Sequence, residues 1–165
     1  MDATDEGGDD MAEYTNASLQ TVAAGQNALF SASPVPCDKG LIVHRDGSGI
    51  FTLRGIVPYN FNCGCRRNDF ARYLVTFGAN IAIPEGGTVE PISLAIAIDG
   101  EVLPDSTVIF TPAAAEEFGN VSRSVFVAVP RGCCENVAVE NTSTQAIDVQ
   151  QLNIVFARPD LYVTR

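Results

Sequence analysis

What this chain lacks narrows its chemistry first. It has one histidine, His44, so most general-base catalysis, and any Cys–His or Ser–His dyad, depends on a single residue beside Arg45 and Asp46. Lysine is nearly absent: Lys39 and nine arginines face 20 acidic residues. The resulting net charge of −10 argues against the counterion-releasing contact that nucleic-acid binding needs. No apolar run approaches the roughly 18 residues that cross a bilayer, which argues against a membrane-spanning helix. A Gly-rich phosphate loop, a recognisable pair of catalytic carboxylates and a His-rich metal triad are missing too, so the reading is a non-enzymatic chain without a cofactor. There is no internal repeat of the kind that builds propellers. The N-terminus is acidic where a secretion signal is basic and then apolar, and the expectation is a chain that starts as written, in the cytosol of whatever makes it.

What is present is a strand pattern. With 165 residues, 46% of them hydrophobic, the chain suffices for one domain with a core. In Arg72–Ile83, alternate residues Tyr73, Val75, Phe77, Ala79, Ile81 and Ile83 share one face, and the same period of two recurs towards the C-terminus. Ile92, Leu94, Ile96 and Ile98 form a large face backed by Ser93, Ala95 and Ala97. A face that small and uncharged implies something packed close against it, such as another copy of the chain. Further strands are expected over 16–22, 27–31, 41–44, 50–53, 101–103, 108–110, 121–129, 136–141 and 147–156. Asp99-Gly100 reads as a hairpin turn, and Pro34 and Pro36 as breaks in any ladder. Pro112–Phe118 reads as one or two helical turns capped by Thr111. In the last strand the apolar parity moves from Ile147 and Val149 to Leu152, Ile154 and Phe156, which predicts a β-bulge near Gln150-Gln151. About ten strands in this spacing mean an all-β, antiparallel jelly-roll sandwich.

The acid is unevenly spread. Asp2, Asp5, Glu6, Asp9, Asp10 and Glu13 precede any basic residue, so residues 1–15 read as a disordered or extended arm, 16–160 as the jelly roll and 161–165 as a tail. The arm either solvates the chain or anchors it on a basic partner surface. Arg66, Arg67 and Arg72 make the one basic cluster and are candidates to pair with a neighbouring copy's arm. Arg66 and Arg67 belong to the long irregular connection 56–70, whose Asn60–Asn68 stretch reads as a distal, contact-making loop. Five cysteines stand at Cys37, Cys63, Cys65, Cys133 and Cys134. The C-x-C and C-C spacings do not match structural zinc pairs. The alternatives are free thiols, a disulfide between the two pairs or between subunits, and a soft-metal cluster of Cys63, Cys65, Cys133 and Cys134 if the fold brings both pairs to one end. Three Asn-x-Ser/Thr triplets begin at Asn16, Asn120 and Asn141, a pattern that also occurs by chance.

From Leu19 onward the order of segments resembles the trimeric jelly rolls of the tumour-necrosis-factor and complement globular-head class. The likeness extends to bacterial spore-surface glycoprotein heads and to phage head decoration or head-fibre proteins. It is carried by residues 20–30 (QTVAAGQNALF), 49–53 (GIFTL), 73–77 (YLVTF), 94–98 with 99–104 (DGEVLP), and 149–158. The resemblance implies homotrimers closed through one sheet of each sandwich, and Tyr73, Val75, Phe77, Ala95 and Ala97 are the expected interface. It implies a structural, adhesive or receptor-binding role. The chain has no Gly-X-Y stalk, which favours a capsid decoration or head-fibre protein on a tailed-phage virion, assembled in the host cytoplasm and attached to other virion proteins through the arm. A glycan- or receptor-binding adhesion module on a bacterial, spore or virion surface is the alternative.

Overall fold

The computed structural model describes residues 11–37, 40–57 and 69–161. Alternation of apolar and polar residues builds twelve strands: β1 Met11–Asn16, β2 Gln20–Val22, β3 Ala32–Val35, β4 Ile42–His44, β5 Phe51–Arg54, β6 Phe70–Ala82, β7 Ile92–Ile98, β8 Glu101–Val102, β9 Val108–Phe110, β10 Gly119–Pro130, β11 Cys134–Asn141 and β12 Ile147–Ala157. They form two six-stranded antiparallel sheets. The first runs β10-β6-β12-β1-β3 with β2 also on β12, and the second runs β4-β5-β11-β7-β8 with β9 also on β7.

Each sheet turns one face inward. Tyr73, Val75, Phe77 and Ile81 of β6 join Leu53, Leu94, Ile96 and Val139 of the second sheet in one buried core. Phe51 is its hub: the rings of Tyr14, Phe30 and Phe156 lie 4.8, 5.0 and 5.0 Å from it, and His44 stacks on it at 4.4 Å. The His44 ring is held by a hydrogen-bond contact of Nε2 with the Ser48 carbonyl at 3.0 Å, while Nδ1 is buried without a partner.

The expected bulge is present. Gln151 takes φ 51°, and the β12–β6 register jumps between Gln150 and Asn153, so Val149 and Leu152 both point inward. The Asp99-Gly100 turn has φ of 51° and 84°, the double positive value of a type I′ hairpin.

Four expectations need correction. Met11–Asn16 is a strand of the first sheet, with Ala12 and Tyr14 buried, so the jelly roll begins before residue 16. Its acidic residue misled the reading: Glu13 faces outward, as the alternation allows. Residues 27–31 contribute only a single bridge, Asn27 to Glu140, and the strand is β3, which carries Pro34 on the sheet edge where no donor is needed. Pro112–Phe118 forms no helix: Glu116 takes φ 64° and its amide donates to the Ile83 carbonyl, turning the segment back onto the sheet. Tyr73, Val75 and Phe77 are wholly enclosed within one chain, so they cannot meet a neighbour.

The ends of the sandwich are closed differently. At one end Arg158, 1% exposed, donates from Nε and Nη2 to both Asp160 oxygens (2.9 and 3.0 Å) and from Nη1 to the Ile56 carbonyl at 3.0 Å. Its guanidinium lies 4.8 Å over the Tyr73 ring, and Tyr73 Oη donates to the Leu41 and Arg54 carbonyls. Burial works against the Arg158 charge, but Asp160 holds its pKa above the ordinary value; burial likewise pushes Asp160 up, and Arg158 with the Arg72 amide more than reverses it. At the other end the hub is neutral: Asn141 Nδ2 donates to the Val22 and Gln145 carbonyls, both at 2.9 Å, and its Oδ1 accepts from the Ser143 amide.

Candidate assembly surface

The outward face of the first sheet follows from its register. Residues opposite one another on neighbouring antiparallel strands share a face, so partners can be read across the sheet in rows. Phe126 pairs Leu74, Leu74 pairs Ala157, and Ala157 pairs Met11, giving an apolar row that crosses β10, β6, β12 and β1. Phe126 is 66% exposed and Met11 44%, values unusual for large apolar side chains aligned side by side. The next row is Ser124, Thr76, Val155, Glu13 and Val35, with a 2.7 Å hydrogen bond between the Thr76 and Ser124 hydroxyls. Beyond it come Ser122, Gly78, Asn153 and Thr15, then Asn120 bonded to Asn80 at 2.9 Å. The face therefore grades from oily near Met11 to small and polar near Asn80.

Flatness accompanies this gradient. A Cβ at Gly78 would lie 3.3 Å from both Asn153 Oδ1 and the Val121 carbonyl, so glycine keeps the centre of the face level. Burying Phe126 alone against a neighbour would contribute about 2 kcal/mol.

The residues singled out from the sequence fall as follows. Asp2, Asp5, Glu6, Asp9, Asp10, Arg66 and Arg67 lie outside the described residues. Glu13 and Arg72 both sit on the outward face of the first sheet, on opposite sides of the apolar row, and the Arg72 amide donates to Asp160 Oδ2 at 2.9 Å. The interface residues expected on β6 belong to its inner face; Leu74 and Thr76 are the ones turned outward. Ala95 and Ala97, expected at the same interface, lie on the second sheet at 0 and 2% exposure, recessed beneath larger neighbours and out of reach of a flat partner. Alternation separates two faces of a strand without saying which one is the core. The signal that was available is size: rings as large as Tyr73 and Phe77 fill a sandwich interior, whereas an assembly face mixes Leu and Phe with Ser and Thr.

Cys133 and Cys134 are exposed free thiols where β10 turns into β11, and Cys37 is half-buried. Burial is minor for Cys134; its hydrogen bond to Cys133 is the main cause raising its pKa. Cys63, Cys65 and the Asn60–Asn68 stretch lie outside the described residues. The residues that bracket them do not: Gly55 donates to the Cys133 carbonyl and accepts from the Gly132 amide, while Asp69 accepts from the Arg131 amide. These flanks lie at the Arg158 end, beside the cysteine turn. Among the described residues no three His, Cys, Asp or Glu side chains are grouped to hold a metal ion.

Two sheets of this order and register define a class: the jelly roll of tumour-necrosis-factor and complement globular-head type. No protein-family model and no curated protein matches the chain. Solved structures do. It is similar to the Eiger TNF of S. frugiperda (TM-score 0.62, 12% identity, 90% of each chain covered). It is also similar to murine APRIL (TM-score 0.58, 10% identity, 90% of this chain and 97% of that one) and to the globular domain of zebrafish complement 1qA (TM-score 0.53, 12% identity, 88% and 92%). At such identities the likeness is one of fold.

Proposed function

We propose that this chain is a non-enzymatic structural module that closes into a homotrimer over the outward face of its first sheet, and that it serves on a tailed-phage virion as a capsid decoration or head-fibre protein. The observation that carries the trimer is the apolar row Phe126, Leu74, Ala157 and Met11, lined up across four strands, with Phe126 and Met11 left exposed by the described residues. The resemblance to tumour-necrosis-factor and complement heads supports closure through one sheet. Glu13 and Arg72, both on this face, support orientation by opposite charge between copies, a contribution of a few tenths of a kcal/mol per exposed pair. The virion role is supported by the acidic run Asp2 to Glu13, which suits anchorage on a basic surface.

Mass photometry of the purified chain tests the assembly: the expected species has three times the 17.5 kDa chain mass, and monomer alone at micromolar concentration overturns it. Protein composition of purified particles tests the role. The chain is expected in them in stoichiometric amount, and its absence from particles overturns the virion assignment while leaving the trimer standing.

A further inference from the structure

The second sheet also has an outward face, and it is dented. Ala138 of β11 pairs Ala97 of β7, and these two small side chains, 6 and 2% exposed, lie between larger neighbours. The result is a half-open cleft of about 300 Å³, near the lower bound for small-molecule sites and sized for one ring rather than a chain of them. Its walls are fixed. On one side Asp99 and Asn136 exchange hydrogen bonds, Asp99 N to the Asn136 carbonyl at 2.7 Å and Asn136 N to Asp99 Oδ1 at 3.0 Å, which locks the type I′ turn. On the other, residues 25–28 are sewn to β11: Gly25 N donates to the Asn141 carbonyl, Ala28 N to the Val139 carbonyl, and Asn141 N to the Gln26 carbonyl, at 2.8, 2.8 and 2.9 Å. Ile50 also lines the cleft.

The rim is polar. Among the described residues, the side chains of Asn27 and Glu140 and the Nδ2 of Asn136 have no hydrogen-bond partner, although the backbone on either side of Asn27 is tied to β11. Amides and a carboxylate held around a small apolar floor constrain the occupant. An anion is disfavoured, because the lining contains Asp99 and Glu140 and no Lys, Arg or His. An apolar ligand would desolvate the rim without replacing its hydrogen bonds. An added peptide strand has no open edge to join, since β11 is paired with β7 on one side and, on the other, with β5 up to Val137 and then with the 25–28 segment through the Asn27–Glu140 bridge. A pyranose satisfies all three limits: its C–H face covers the alanines and its hydroxyls both donate and accept.

We propose that this cleft binds one uncharged or amino-bearing hexose ring of a glycan, with Asn27, Asn136 and Glu140 as the hydroxyl-reading groups and Ala97 and Ala138 as the floor. It opens on the opposite face from the proposed assembly surface, so a trimer would carry three such sites outward, and weak single sites would gain by avidity.

The test is a titration of the isotope-labelled chain followed by NMR, using methyl glucoside, methyl galactoside, N-acetylglucosamine and glucosamine at millimolar concentrations, with glucuronate as the charged control. At least one of the four is expected to shift the side-chain amides of Asn27 and Asn136, and glucuronate to shift neither. Ala138→Leu, which fills the floor, should abolish the shifts, and Glu140→Ala, on a half-exposed side chain that leaves folding intact, should weaken binding about tenfold. Silence of all four sugars, equal response to glucuronate, or undiminished binding in Glu140→Ala overturns the proposal. A monomeric chain that still binds sugar would overturn the trimer and leave the cleft.

Discussion

The two outward faces of this sandwich differ in kind. That of the first sheet is flat, crossed by aligned Phe126, Leu74, Ala157 and Met11, and two of its hydroxyls, on Thr76 and Ser124, bond one another. That of the second is indented at Ala97 and Ala138 and bordered by the Asn27 and Glu140 side chains and the Asn136 Nδ2, which have no partner among the described residues. A flat face on which large apolar side chains stand exposed suits a large, shape-matched surface. A recess with a small apolar floor and unpaired polar groups at its rim suits a small polar molecule. On the reading proposed above, the same fold would separate assembly from recognition by which side chains are large.

The sharpest way to break this contrast is to charge the flat face. Phe126→Asp places a carboxylate in the proposed interface of every subunit, and mass photometry should show trimer replaced by monomer, with affinity between subunits falling at least about a hundredfold. Thr52→Glu, on the dented sheet, should leave the mass unchanged. Next in size is the clamp that holds the two sheets in register: Arg158→Ala leaves the Ile56 carbonyl and Asp160 without their partner and should lower unfolding free energy by about 3 kcal/mol in a denaturant titration. Because the folded Asp160 pKa lies below its ordinary value, its share of that stability is present above the usual carboxylate range and is lost as pH falls through the depressed pKa.

A subtler probe concerns the dented side, where Glu135 shares a hydrogen bond with Asp99. That bond, with some burial and the Asp99 charge, raises Glu135 to about 7, while the same bond and the Asn136 amide lower Asp99. The sign follows: Glu135's contribution is full below its ordinary value and fades as pH rises through about 7, whereas Asp99's is lost only in acid. Carboxyl NMR should find the Glu135 midpoint near 7, and Asp99→Asn should return it towards the ordinary glutamate range. The smallest expected effect is at the bulge. Gln151 holds a left-handed conformation that glycine adopts freely, so Gln151→Gly should stabilise the fold by up to about 1 kcal/mol, seen as a slightly higher denaturant midpoint, with the trimer intact.

Much of this architecture was legible in the sequence where one rule acted alone. The period of two located β6 and β7, the Asp-Gly pair gave a type I′ turn, and a change of parity betrayed the bulge at Gln151. Legibility failed where two rules competed. Met11–Asn16 alternates correctly, but its acidic neighbours outweighed Ala12 and Tyr14. The Pro-Ala-Ala-Ala run has helical propensity, yet a single bond from Glu116 to Ile83 decides its path. The most apolar face of β6 reads from sequence as an interface, but in a sandwich it is the face the second sheet covers. The cleft was beyond sequence reading altogether, because Asn27 and Glu140 are 113 positions apart and meet only through the bridge beside β11.

Met11 and Ala157 lie opposite each other on paired strands, while the Pro84–Gly87 turn and the Thr142–Gln145 loop, tied by the Thr88 amide to Gln145 Oε1, occupy the opposite end. Cargo fused at either side of the jelly roll would therefore leave from one pole and keep the other clear for inserted epitopes. It also makes circular permutation geometrically inexpensive: a short linker from Leu161 to Met11, with new ends cut at exposed Glu85 and Gly86, reorders the chain without unthreading a strand.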